Sequence, residues 1–275
     1  MMAINLKQAS LTFSIAKIGI RVNCVRHELI GSLAQHYQEF AAGKDTQMEV
    51  NLRVNDWGGK IELLEQPLFF ENDRIIINAP GLEGFIDCER GLAEISIPVR
   101  RSVENTEYFL RLVTAFQVFR EGGLLFHAAG IVKDGYAYLF FGQSGAGKTT
   151  VASHSLGYVI LNDDLVVLTI DKGIWRAHAT PFSNPTQLKP TNQNALVKAM
   201  YRLVQDDRVY LESMSPGYSL AEVLASVPVI PKAPHWRDNL ILRCQALIGA
   251  QPVHKLHFLP DGSFWNVIEA SQSQP

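Results

Sequence analysis

Lys148, Thr149, Asp163, Asp164 and His127 are the residues of this chain whose types and spacing could do chemistry, and that chemistry concerns phosphate. Lys148 and Thr149 fall in the run Gly142-Gln143-Ser144-Gly145-Ala146-Gly147-Lys148-Thr149-Thr150, which fits the phosphate-cradling pattern G-x-x-x-x-G-K-[ST]. Glycines at 142, 145 and 147 permit backbone angles that side chains forbid, so successive N–H groups can turn toward phosphate oxygens. Lys148 is then placed to reach β- and γ-phosphates, and the Thr149 hydroxyl to ligand Mg²⁺. A helix expected over Lys148–Leu156 would turn its positive end to the same anion. The expected ligands are ATP and Mg²⁺.

Beyond this loop, Asn162-Asp163-Asp164 ends an apolar run, Tyr158-Val159-Ile160-Leu161. Carboxylates at that point of a P-loop protein hold Mg²⁺ or accept the proton of an attacking nucleophile. Adjacent side chains on an extended backbone point opposite ways, so the two aspartates should have different jobs. The plain alternative is a solvated turn, for which Asn-Asp-Asp is ordinary composition.

Two strands must position these groups. Leu124–Val132 and Tyr136–Phe141 are apolar runs joined through Lys133-Asp134-Gly135, and Asp-Gly between β-prone runs signals a hairpin with a type I′ turn. In that register His127 faces Gly142, where it can orient an aspartate or touch a phosphate; a structural, hydrogen-bonded histidine is the other reading. A loop strand fed by a hairpin, not by a βα unit, requires a sheet that is at least partly mixed.

With these residues in view, the region from about 104 to 190 resembles the kinase domain of HPr kinase/phosphorylase, a relative of phosphoenolpyruvate carboxykinases. The small HPr-kinase-like proteins encoded beside peptide-modification genes, including those of lasso-peptide clusters, are more similar still. They share stretches like Pro181–Pro190 and Phe258–Trp265. The resemblance implies an α/β protein: an N-terminal α+β domain (1–103) followed by a P-loop kinase domain (104–275) with a mixed sheet of the HPr kinase / phosphoenolpyruvate carboxykinase type. It implies transfer of the γ-phosphate of ATP to a serine or threonine of a peptide or small protein. Asp163 is then the expected base and Asp164 the expected metal ligand, although the pair is open to reversal. The E-x-R-G segment of true HPr kinases has no counterpart here, so the resemblance gives no ground for a phosphorylase activity. Two other classes stay open: a small-molecule kinase or carboxykinase-like phosphotransferase, and a non-catalytic nucleotide-dependent binding protein.

Composition sets the bounds. At 275 residues, 47% hydrophobic and 19% charged, the chain can bury a substantial core. Its 25 basic and 27 acidic residues give net −2, which leaves no electrostatic footprint for nucleic acid. No apolar run is long enough to span a bilayer, and the first residues do not read as a signal peptide, so a cytoplasmic protein without a membrane partner is expected. Homo-oligomerisation is left open. Cys24, Cys88 and Cys244 are scattered, odd in number and without C-x-x-C spacing, which argues for thiols rather than disulfides or metal ligands.

In the first domain Leu11–Val22 reads as one strand and Leu29–Phe40 as a helix, followed by strands near 48–54, 74–78, 84–88 and 92–97. Glu104–Phe119 reads as an amphipathic helix that opens the second domain. Later, Leu165–Ile170 and Trp175–Thr180 suggest a hairpin, Asn192–Val204 a helix, 205–239 a long partly helical excursion, and Ser271–Pro275 a disordered end. Lys189, Arg237 and Arg243 are weaker candidates for phosphate or substrate contact. His254 and His257 sit an odd number apart on a strand, hence on opposite faces, and make no metal site. Phe126, Phe140, Phe141 and Trp265 read as core.

Overall fold

The alternation of apolar and polar residues in the first hundred positions is spent on one sheet. The computed structural model describes residues 8–71, 74–182, 191–230 and 236–272. The chain divides into two compact units, Met1–Glu121 and Gly122–Pro231 with Trp236–Pro275. In the first, β1 (Ala9–Ile15), β2 (Ile18–Cys24), β3 (Met48–Asn55), β4 (Phe69–Glu71), β5 (Arg74–Ala79), β6 (Leu82–Asp87) and β7 (Leu92–Pro98) form a seven-stranded sheet in the order β1-β2-β3-β7-β6-β5-β4. The sheet is mixed, because β2, β3 and β7 run parallel while the other neighbours are antiparallel.

The run Leu11–Val22, expected as one strand, is instead two strands of a hairpin. Ala16 and Lys17 hold φ of 51° and 71°, making a tight turn without the glycine or asparagine that usually marks one. The expected helix over Leu29–Phe40 is α1 (His27–His36), which buries Leu29, Ile30 and Leu33 and then tightens into a 3₁₀ turn at Gln38–Phe40. α2 (Ser102–Arg120) packs against β3, β7 and α1. It therefore belongs to the first unit, and the division falls at its end rather than near Val103.

The second unit carries β8 (Leu124–Phe126), β9 (Ala128–Lys133), β10 (Tyr136–Phe141), α3 (Lys148–Ser153), β11 (Val159–Asn162), β12 (Val166–Asp171), β13 (Ile174–His178), β14 (Asn194–Gln205), β15 (Tyr210–Ser213), α4 (Pro216–Ala225), α5 (Arg237–Ala250), β16 (Val253–Phe258) and α6 (Phe264–Gln272). Its sheet runs β11-β9-β10-β14-β13-β12-β8, with β16 joined to β14 and β15 to β16. β10 with β14 and β14 with β16 are parallel and the remaining pairs antiparallel, so this sheet is mixed as well. Tyr138, Phe140, Tyr201, Phe258, Phe264 and Trp265 share one core cluster, and Phe126 and Phe141 are buried too.

Several expectations change here. Asn192–Val204 is not a helix. Residues 194–205 form β14, where Ala195, Val197, Ala199, Tyr201 and Leu203 are buried at every second position. The helix after the loop is only six residues, Lys148–Ser153. The excursion over 205–239 contains β15 and α4 among its described residues, and Ser271 and Gln272 lie in α6 rather than in a loose tail. The hairpin of β12 and β13 forms as expected, turning through Lys172 and Gly173. Cys24, Cys88 and Cys244 are buried thiols. No helix among the described residues is long and apolar enough to cross a membrane.

Candidate active site

The hairpin of β9 and β10 sets the frame. Asp134 and Gly135 hold φ of 52° and 81°, the left-handed pair of a type I′ turn. The ladder runs from Lys133 opposite Tyr136 to Ala128 opposite Phe141 without a bulge. Carried one step further, the register sets His127 at the level of Gly142, the first residue of the loop. The backbone N–H of His127 donates to Ser226 O at 2.8 Å, and its Nε2 lies 2.8 Å from Asp164 Oδ1.

The acidic pair reaches the site by way of β9. The strand it follows, β11, neighbours β9 and not the loop strand β10. The His127-bearing end of β9 therefore stands between the loop strand and the acids. Asn162, buried at the end of β11, fixes the turn. Its Oδ1 accepts from the N–H of Asp164 at 2.7 Å and of Leu165 at 2.9 Å. Its Nδ2 donates to Thr180 O, Thr180 Oγ1 and Phe182 O at 3.1, 3.3 and 3.2 Å. In the sequence Asn162 is marked only by turn composition. The legible signal was an Asx residue placed just where a turn must present two carboxylates.

Within the loop, Gly145 and Gly147 hold φ of 80° and 106°, a region costly for side-chain-bearing residues. Gly147 has a second constraint, since a Cβ there would collide with the ring of Phe258. Gln205 Nε2 donates to Gly145 O at 2.8 Å, and Ala146 N to Gln143 O at 3.0 Å. Among the described residues, the N–H groups of Ser144, Gly145 and Gly147 meet no acceptor. Gln143, Ser144 and Thr149 are exposed, while Ala146 and Thr150 are half-buried.

Lys148 is only 7% exposed, and its Nζ donates to Gly142 O at 3.0 Å and Gln143 O at 3.2 Å. Burial pushes its pKa below the ordinary lysine value, and the charges of Asp164 and Asp163 act in the opposite direction. The lysine and both carboxylates thus lie within electrostatic reach of one another. Asp163 is buried, and the Asp164 side chain is 19% exposed.

The donor set suits a polyphosphate: loop N–H groups without acceptors and an ammonium held against the loop's own carbonyls. The Thr149 hydroxyl and the carboxylates are oxygen ligands of the kind Mg²⁺ takes. Among the described residues no group of three or more His, Cys, Asp or Glu is placed to hold a metal. A cation here would therefore complete its shell from phosphate oxygens and water, as Mg²⁺ commonly does.

The weaker candidates lie elsewhere. Arg237 is exposed on α5, and Arg243 donates to Gly123 O at 3.0 Å, a contact that serves the chain itself. His254 lies against Tyr201, and His257 between Asp206 and Glu212. Lys189, and most of the stretch Pro181–Pro190, fall outside the described residues.

No family model matches the chain, and no curated protein matches it. Among solved structures it is similar to the Hpr(Ser) kinase/phosphatase from Coxiella burnetii, over 33% of this chain and 70% of that one, with 16% identity and a TM-score of 0.26. At that level the likeness establishes neither family nor activity.

Proposed function

We propose that this protein is an ATP- and Mg²⁺-dependent phosphotransferase that moves the γ-phosphate to a serine or threonine hydroxyl of a peptide or small protein. The observation that carries the reading is the gathering of Lys148, Asp163, Asp164 and His127 around one glycine-rich loop. The loop N–H groups and Lys148 hold the phosphates. Asp164, oriented by His127 and by the turn that Asn162 organises, is the carboxylate suited to a metal. Asp163 accepts the proton of the acceptor hydroxyl as its oxygen bonds to the γ-phosphorus and the bond to the β–γ bridging oxygen breaks, releasing ADP. Bound Mg²⁺ would supply charge neutralisation across the phosphates.

The test is transfer of label from [γ-³²P]ATP, with Mg²⁺, into a library of serine- and threonine-containing peptides, with Lys148→Ala as control. Label in peptides that depends on Lys148 supports the reading. Label confined to free serine or other small alcohols would favour a small-molecule kinase. Nucleotide binding with no transfer to any hydroxyl would favour a nucleotide-dependent binding protein, and absence of nucleotide binding would overturn the reading.

A further inference from the structure

Away from the acidic pair, His257 on β16 has a carboxylate at each ring nitrogen. Nδ1 is 2.7 Å from Asp206 Oδ2, and Nε2 is 3.0 Å from Glu212 Oε2. An ionised carboxylate only accepts, so both contacts are hydrogen bonds only when both nitrogens carry protons. His257 is 8% exposed, and its ring stacks on Tyr210 at 4.1 Å, with 9° between the planes. Its hydrogen bond holds the Asp206 carboxyl down to about 2. Glu212 is held below its ordinary value first by Lys255 and then by His257. Asp206 directly follows β14 and Glu212 lies in β15, so one histidine ring ties three strands together.

What hangs on this tie is the glycine-rich loop. Gln205, the residue before Asp206, donates to Gly145 O at 2.8 Å. Phe258, the residue after His257, covers Gly147 so closely that only glycine fits there. Asp206 N also donates to Phe258 O at 3.2 Å, linking the two supports to each other. Gly145 and Gly147 are therefore each held by a residue adjacent in sequence to a member of the triad.

We propose that Asp206, His257 and Glu212 form a positioning brace for the phosphate-binding loop, holding Gln205 against Gly145 and Phe258 against Gly147. The inference rests on the nucleotide-binding reading of that loop, and it makes His257 a positioning residue, one step removed from the phosphates. A brace of purely local value would stiffen β15 and β16 and leave the loop as it is.

The experiment compares wild type with His257→Asn and with Glu212→Ala, a half-exposed position where folding is not at risk. Backbone amide resonances of Gly145 and Gly147 are recorded without nucleotide, and affinity for a fluorescent ADP analogue is measured with Mg²⁺. The expected result is displaced or broadened Gly145 and Gly147 signals in both variants and affinity lower by roughly 3–10-fold, the scale of one lost hydrogen bond. Gln205→Ala should weaken binding in wild type and add little in His257→Asn, because both act through one contact. Unmoved glycine signals with unchanged affinity would overturn the brace. If wild type binds no ADP analogue while the glycine signals still move, the brace stands and the nucleotide reading falls.

Discussion

His127 Nε2 stands 2.8 Å from Asp164 Oδ1, joining the end of a hairpin strand to the turn after a neighbouring strand. The two residues are 37 positions apart in the chain, and the ladder of β9 with β10 and β11 brings them together. If His127 orients Asp164, His127→Ala should lower kcat by about 10–100-fold, the range seen when a supporting hydrogen-bond partner is lost. The double variant with Asp164→Asn should be little worse than Asp164→Asn alone. Additive losses in steady-state rates would show that His127 works independently of Asp164.

Lys148→Ala should abolish transfer and weaken nucleotide binding. Removal of a charge-assisted contact costs about 1.5–3 kcal/mol, which calorimetric titration with ATP and Mg²⁺ would read as at least a tenfold loss of affinity. Unchanged affinity in the folded variant would refute the role given to the loop.

Asp163→Asn and Asp164→Asn keep the shape of the turn while removing its charge. Each should reduce transfer, and loss of the general base alone is worth about 10²–10⁴-fold. The asymmetry separates the roles. The base variant should lose kcat at every Mg²⁺ concentration, whereas the metal variant should recover partly as Mg²⁺ is raised.

Asn162 makes five side-chain hydrogen bonds in a buried position. Asn162→Ala should destabilise the protein by about 1–3 kcal/mol, since several buried groups lose partners at once. Asn162→Asp keeps the acceptor facing the N–H groups of Asp164 and Leu165 but sets an anion against the carbonyls of Thr180 and Phe182. It too should be destabilised, and thermal melts of both variants check this.

The pH dependence of stability should carry the mark of Asp206. Its folded pKa, about 2, is depressed mainly by the hydrogen bond from His257. A depressed carboxyl contributes stability above its unfolded value, near 3.9, and loses it as pH falls toward the folded value. The difference in melting temperature between wild type and Asp206→Asn should therefore be full above about pH 4 and shrink toward pH 2. A constant difference across that range would mean that ionised Asp206 contributes nothing.

The loop, the Asp-Gly hairpin turn and its register were legible in sequence because each depends on residues within a few positions of one another. Gly145, Gly147 and Gly135 are required by local backbone angles, which a sequence states directly. The hairpin at Ala16 and Lys17 was not legible, because neither residue announces a positive φ. Residues 194–205 carry apolar side chains at both helical and strand spacing. Only parallel pairing with β10 and β16, partners far away in the chain, made them a strand. The placement of the acids beside β9, the five hydrogen bonds of Asn162 and the brace around His257 were likewise decided by tertiary structure. Sequence determines which groups are candidates for holding phosphate, whereas the distance between His127 and Asp164 is fixed by strand order, which no local pattern encodes.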